Sequence, residues 1–214
     1  MNSEIAKLLE LARSGQPDPF QQLVHTLRRE GEKDVEALLD YLEADDETLR
    51  RAAVAAAQGR TEPEVLDAVA DLAHDPSPTV RLNLAYALGD VPAWPLDSAV
   101  EQLLLDTDVP VRQASVWAAR RRPVLHGLLL RRLFEDDNIW VRIDVANALA
   151  DVAARAALPA LVSRLAEDSD VSVQQACADV AERHLAALGG YPKSAPYPQI
   201  PILAEARRRV RGFT

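Results

Sequence analysis

The sequence predicts an all-α fold, a solenoid of about five stacked two-helix repeats closed by atypical helical caps. Three observations carry this expectation. The first is a recurring segment: an Asp-opened turn, then Val-Arg, then an Ala-rich apolar run. It reads DPSPTVRLNLAYALG from Asp75, DTDVPVRQASVWAAR from Asp106 and DDNIWVRIDVANALA from Asp136. A weaker copy, DSDVSVQQACADVAE, starts at Asp168, and DDETLRRAAVAAAQG covers Asp45 to Gly59. The second is its spacing. The marker position falls at Arg50, Arg81, Arg112, Arg142 and Gln174, in steps of 31, 31, 30 and 32 residues. The third is composition: 48% apolar residues, rich in Ala and Leu, with only 5% aromatics. That mix suits closely packed small helices better than sheet, which favours Val, Ile, Thr and aromatic residues.

Taken in order, Ser3 to Arg13 reads as a helix capped by Ser3, with Ile5, Leu8, Leu9 and Ala12 on one face. SGQPDP interrupts it. Asp18 is expected to cap a second helix with Pro19 in its first turn, and Gly31 to end it. Residues 1–31 lie outside the repeat template and are read as an N-terminal cap. The array spans 32–188. Its first helices are expected near Asp34, Pro63, Asp97, Val124 and Ala156, with Leu and Val at helical spacing. Its second helices are expected near Thr48, Thr79, Pro110, Trp140 and Ser172. Asp, Pro and Gly occupy the joints, where turn chemistry places them. Residues 189–200, with their glycines and prolines, read as an extended linker. Residues 201–214 read as a basic helix or tail, carrying Arg207, Arg208, Arg209 and Arg211, that either folds back as a C-terminal cap, serves as a tail for an acidic partner or begins a further domain.

The leading Asp, the Val-Arg six residues on and the following Ala-Ala-x-Ala-Leu resemble HEAT repeats, in the short bacterial form called the phycobilisome-lyase HEAT-like repeat. The resemblance covers about Asp34 to Leu188. It implies a right-handed α-α superhelix whose second helices line a concave face. It also implies a structural ladder in which Arg50, Arg81, Arg112 and Arg142 reach Asp75, Asp106, Asp136 and Asp168 of their own or the next unit. A planar guanidinium suits that task, because its fork can bridge carboxylates and carbonyls at a crowded joint. Ala44 stands where the first unit should have its leading Asp, so Arg50 is expected to contribute less than Arg112. Gln174 marks the end of the ladder.

Charge narrows the function classes. The formal net charge is −9, yet residues 1–110 hold 9 Lys/Arg against 22 Asp/Glu and residues 111–214 hold 15 against 11. An acidic front half argues against tracking of nucleic acid by the whole chain. No apolar run of about 18 residues suggests a membrane span, and the start shows no cationic, cleavable leader. With one cysteine, the expectation is a cytoplasmic protein. Catalytic signals are sparse. His25, His74, His126 and His184 are dispersed without helical pairing, no His-Glu dipeptide occurs, and Cys177 reads as a small core residue. No cofactor or metal is expected.

The candidate binding residues lie on the second helices. Five residues after each marker come Ala55, Tyr86, Trp117, Asn147 and Asp179, which a regular stack would align in one row. Asn83, Asp90, Gln113, Arg121, Asp144, Asp151 and Arg183 flank it at helical spacing. Two aromatics beside Asn and Arg, in a chain so poor in aromatics, have the character of interface anchors. Trp94 and Trp140, at helix joints, read as packing residues. The expected function is a non-catalytic scaffold that holds a protein or peptide in its concave groove. One alternative is a HEAT-like nucleic-acid binder or alkylpurine-type DNA glycosylase, in which Trp117, Arg121 and Asp144 would imitate the reactive set. A bilin-lyase-like subunit is another.

Overall fold

Alternation of Leu-rich and Ala-rich amphipathic segments gives a chain of paired helices. The computed structural model describes residues 3–15 and 17–188, and the expected linker and basic tail lie outside these. Twelve α-helices are found among the described residues, with no strand. They fall into two compact units, residues 1–118 and 119–214.

The first unit contains α1 (Ser3–Arg13), α2 (Pro17–Lys33), α3 (Val35–Leu42), α4 (Glu47–Ala57), α5 (Pro63–Asp71), α6 (Pro78–Asp90), α7 (Asp97–Leu104) and most of α8 (Val109–Ala119). Helices α2, α4 and α6 are successive neighbours in one layer, and α3, α5 and α7 in the other. The second unit repeats the scheme with α9 (His126–Glu135), α10 (Ile139–Ala148), α11 (Ala154–Glu167) and α12 (Val171–Ala187). There α10 packs on α12, and each packs on its preceding first helix.

Side-chain size separates the layers. Leu38, Leu42, Val65, Val69, Val100 and Leu103 fill the interior from the first helices. Ala52, Ala53, Ala56, Ala57, Ala85 and Ala87 bury the second helices with little bulk, so neighbouring backbones come close. One close backbone approach is at Gly89, where a Cβ would lie 3.7 Å from the backbone nitrogen of Ala118.

Most boundaries match the sequence reading, and the exceptions have physical causes. Each second helix begins one residue before the expected position, because the cap lies earlier. Asp46 accepts from the Leu49 N–H at 2.8 Å, Ser77 from Thr79 at 3.2 Å, Asn138 from Trp140 at 2.9 Å and Asp170 from Ser172 at 2.8 Å. Ser3 lies within α1 rather than capping it, and α2 begins at Pro17, which puts Asp18 inside its first turn.

Gly31 does not stop α2. It is buried within the helix, where a Cβ would stand 3.0 Å from the Leu38 Cβ, so it is a close-approach glycine between α2 and α3. The turn glycines are Gly15, at φ +78 after α1, and Gly59, at φ +83 after α4. Near Val124 a 3₁₀ turn over Pro123–Leu125 precedes α9, and α11 starts at Ala154, carrying Pro159 in its interior.

Candidate functional site on the second-helix face

The joints hold the second helices in register. Arg50 Nε and Nη2 donate to the Asp75 carboxylate at 2.7 and 2.9 Å, while Nη1 donates to the carbonyls of Ala44 and Asp45. Arg81 repeats this on Asp106 at 2.6 and 2.9 Å, with Nη1 on the Asp75 carbonyl at 2.7 Å. Arg142 does so on Asp168 at 2.9 and 3.1 Å, with Nη1 on the Asp136 carbonyl. Arg112 Nη1 donates to the Asp106 carbonyl at 2.8 Å. Of the two partners the resemblance allowed, the forks of Arg50, Arg81 and Arg142 therefore take the next repeat's carboxylate and their own repeat's carbonyl.

Each Asp also accepts from the N–H two residues on, at 2.8 to 3.0 Å for Asp75, Asp106, Asp136 and Asp168. Gln174 keeps only the carbonyl bond, to Asp168 at 2.7 Å. Arg50 has a fork like the others even though Ala44 replaces the leading Asp, because Ala44 supplies the carbonyl and Asp75 the carboxylate.

Burial alone would raise the carboxyls of Asp106 and Asp168. The guanidinium forks and the Asx-turn N–H bonds outweigh it and hold both below the ordinary carboxylate range. On the outer helix, Arg13 reaches Asp46 at 2.7 Å, a contact with no periodic signal in the sequence.

The position five residues after the marker is exposed in each unit, except at Ala55. Tyr86 is 59% exposed and Trp117 44%, Asn147 and Asp179 are exposed, and Ala55 is half-buried. Tyr86 and Trp117 belong to the first unit, Asn147 and Asp179 to the second. Asp90, Arg121, Asp151 and Arg183 are exposed; Gln113 and Asp144 are half-buried.

Several candidates also have partners within the protein. Asn83 donates to the Arg51 carbonyl at 3.0 Å, tying α6 to α4. Asp179 accepts from Gln175 at 2.7 Å, and Asp151 lies 3.7 Å from Arg120. Trp94 is 2% exposed and its Nε1 donates to the Arg60 carbonyl at 2.7 Å, which makes it a packing residue. Trp140 is not one: it is 59% exposed in the first turn of α10, at the position where Thr79, Pro110 and Ser172 are exposed in other repeats.

Sequence reasoning missed a set of polar ties. Arg28 donates to the Ala55 carbonyl at 2.8 Å, Gln58 to the Ala87 carbonyl at 3.1 Å, and the buried His184 ring nitrogen lies 2.9 Å from the Leu149 carbonyl. It also missed Arg51, whose guanidinium carbon stands 5.2 Å from the centre of the Phe20 ring. The Arg28 and Gln58 bonds are one tie repeated, since Arg28 also donates to the Ala56 carbonyl and Ala56 and Ala87 are equivalent positions of successive repeats, whereas the Phe20 contact comes from a helix outside the template. Cys177 is buried, and desolvation pushes its thiol up to about 12, far from a reactive thiolate. Among the described residues no group of three or more His, Cys, Asp or Glu could hold a metal ion, and no helix is long and apolar enough to cross a membrane.

Comparison with known proteins agrees with this architecture. Residues 35–120 match the family described as HEAT repeats. Among solved structures, the chain is similar to a designed armadillo repeat protein in complex with the peptide (KR)4. The identity is 20% and the TM-score 0.52, over 85% of this chain and all of that one. It is also similar to computationally designed armadillo repeat proteins for modular peptide recognition, at 20% identity and a TM-score of 0.50, over 83% of this chain and 98% of that one. No curated protein matches. The fold is an all-α repeat solenoid, and residues 35–120 of it are similar to HEAT repeats.

Proposed function

We propose that the protein is a non-catalytic scaffold that binds an extended peptide, or an extended segment of a protein, along its exposed second-helix face. The observation that carries this is the pair of half-exposed rings, Tyr86 and Trp117, at equivalent positions of consecutive repeats. Large, rigid rings lose little conformational entropy on binding and are enriched among interface anchors. Asp90 on the same helix as Tyr86 supplies a flanking charge that orients the bound segment. The designed proteins of similar fold, one solved with a peptide and others made for peptide recognition, support this use of the architecture. The repeats read as the short bacterial HEAT-like type, and the buried lone cysteine accords with a cytoplasmic setting.

The test is selection of displayed random peptides on the full-length chain, followed by titration of the selected peptides against variants. Trp117→Ala should weaken binding on the order of thirty-fold and leave the melting temperature near that of the parent. A variant that melts much earlier would make Trp117 a packing residue. A stable variant that binds the same peptides unchanged would remove this face as the site. Steeply salt-dependent binding of duplex DNA, with no peptide selected, would favour the nucleic-acid alternative instead.

A further inference from the structure

Arg51 differs from the other arginines of residues 1–118. Arg13, Arg29, Arg50, Arg60 and Arg81 each meet a carboxylate, while Arg28 and Arg112 donate to main-chain carbonyls. Arg51 has no hydrogen-bond or ion-pair partner among the described residues, and its Nε is buried without an acceptor. This happens in a half of the chain with more than two acidic residues for each basic one. The side chain is nonetheless held in place. Its guanidinium faces the Phe20 ring at 5.2 Å, and its own carbonyl is tied by Asn83 to α6. A half-buried guanidinium with a backing ring and no internal acceptor keeps its outer N–H groups available to an incoming anion.

Its position connects it to the two rings. Arg51 lies one helical turn before Ala55, on the same side of α4, and Ala55 is equivalent to Tyr86 and Trp117 in the two following repeats. The Asn83 that holds the Arg51 carbonyl lies one turn before Tyr86 on α6. Second helices α4 and α6 are direct neighbours.

Resting on the reading of this face as a peptide site, we propose that Arg51, backed by Phe20, is its carboxylate receptor. The bound segment then carries one internal Asp or Glu beside the apolar residues that seat on Tyr86 and Trp117. Neighbouring packed helices lie about 8–10 Å apart, and an extended chain advances about 3.3 Å per residue. The acidic residue therefore falls about three positions from the Tyr86 anchor and about six from the Trp117 anchor. A single carboxylate is the anion that suits the surroundings. The acidic half repels a polyanion, whereas one charge meeting a fork at contact distance is screened from acids more than about 8 Å away.

The experiment selects a displayed random-peptide library on the full-length protein and on its Arg51→Met and Arg51→Lys variants, with the melting temperature of each recorded. Methionine keeps an apolar stem against Phe20, and lysine keeps the charge without the fork. The parent should enrich Asp or Glu at the stated spacing, and Arg51→Met should lose that enrichment while keeping the apolar anchors. Changing the selected Glu to Gln should weaken binding to the parent about ten-fold or more and leave binding to Arg51→Met unchanged. This peptide substitution needs no protein variant, so it decides the matter even if Arg51→Met folds poorly. Selection of apolar peptides without acidic enrichment, or equal affinity for the Glu and Gln forms, overturns the receptor and leaves the peptide site standing. Failure to select any peptide overturns both.

Discussion

The ladder joints at Asp75 and Asp106, in the first unit, differ from the joint at Asp168, in the second. Asp75 and Asp106 each receive one guanidinium fork, from Arg50 and Arg81. Asp168 receives the Arg142 fork and also has Arg164 Nε 2.6 Å from its Oδ2. That second contact is electrostatic only, since Arg164 Nε is too poorly aligned to count as a hydrogen bond and is left as a buried donor without a partner. The difference lies four residues before each aspartate, where the first unit has Asp71 and Gln102 and the second has Arg164, with Arg132 in the same relation to Asp136. The opposite charges of the two halves are thus expressed at their joints. The fork is common to both and sets the stagger of the repeats. The second cation is local, and it leaves a buried cluster of net positive charge that depends on a single carboxylate.

The largest effect should follow from removing that carboxylate. Asp168→Asn keeps the Asx turn but leaves Arg142 and Arg164 facing a neutral amide, at a cost of about 3–5 kcal/mol. Asp106→Asn strands the Arg81 fork, which is more solvated, and removes a weaker attraction to Arg112, and should cost about 2 kcal/mol. Chemical denaturation of the two variants compares them directly; equal losses would mean that the second cation is immaterial. Acid should act on the same groups. Because Asp106 and Asp168 have folded pKa values below their ordinary 3.8, their stabilisation is complete above that value and is lost as pH falls through the folded ones. Stability measured by thermal melts should therefore fall below about pH 4, and Asp168→Asn should flatten the decline.

Within the first unit the comparison predicts equality. Arg50 and Arg81 make matching bond sets, so Arg50→Ala and Arg81→Ala should each cost about 2–3 kcal/mol. A near-parental denaturation midpoint for Arg50→Ala alone would restore the weaker role that the missing aspartate at Ala44 suggests.

What was legible in the sequence follows from periodicity. The helix pairs, the ladder residues and the exposure of Tyr86 and Trp117 all recur at about 31 residues, so one repeat explains the next. Gly31 and Arg51 mislead because a neighbour outside the pattern sets their role. Gly31 looks like a helix stop until Leu38 packs against it. Trp140 looks like a joint packing residue, but it takes the exposed first-turn position that Thr79, Pro110 and Ser172 take in other repeats. Arg51 sits beside a marker arginine and looks like an ordinary surface charge. Only the Phe20 ring, from a helix outside the template, distinguishes it. Phe134 has a similar hidden partner in Arg164, whose guanidinium carbon lies 5.8 Å from its ring centre.

The smallest expected effect is the most discriminating. In the parent, Arg164 attracts Asp168 but leaves a buried Nε unbonded, and these contributions oppose one another. Arg164→Met keeps a flexible apolar stem near Phe134 and should change stability by less than about 1 kcal/mol. In the Asp168→Asn background the attraction is gone, while repulsion between Arg142 and Arg164 and the unbonded donor remain. The same substitution should there become stabilising, by about 1 kcal/mol. A double-mutant cycle in denaturant measures this reversal of sign. If Arg164→Met has the same effect in both backgrounds, Arg164 acts through packing on Phe134, and the electrostatic distinction between the two joints fails.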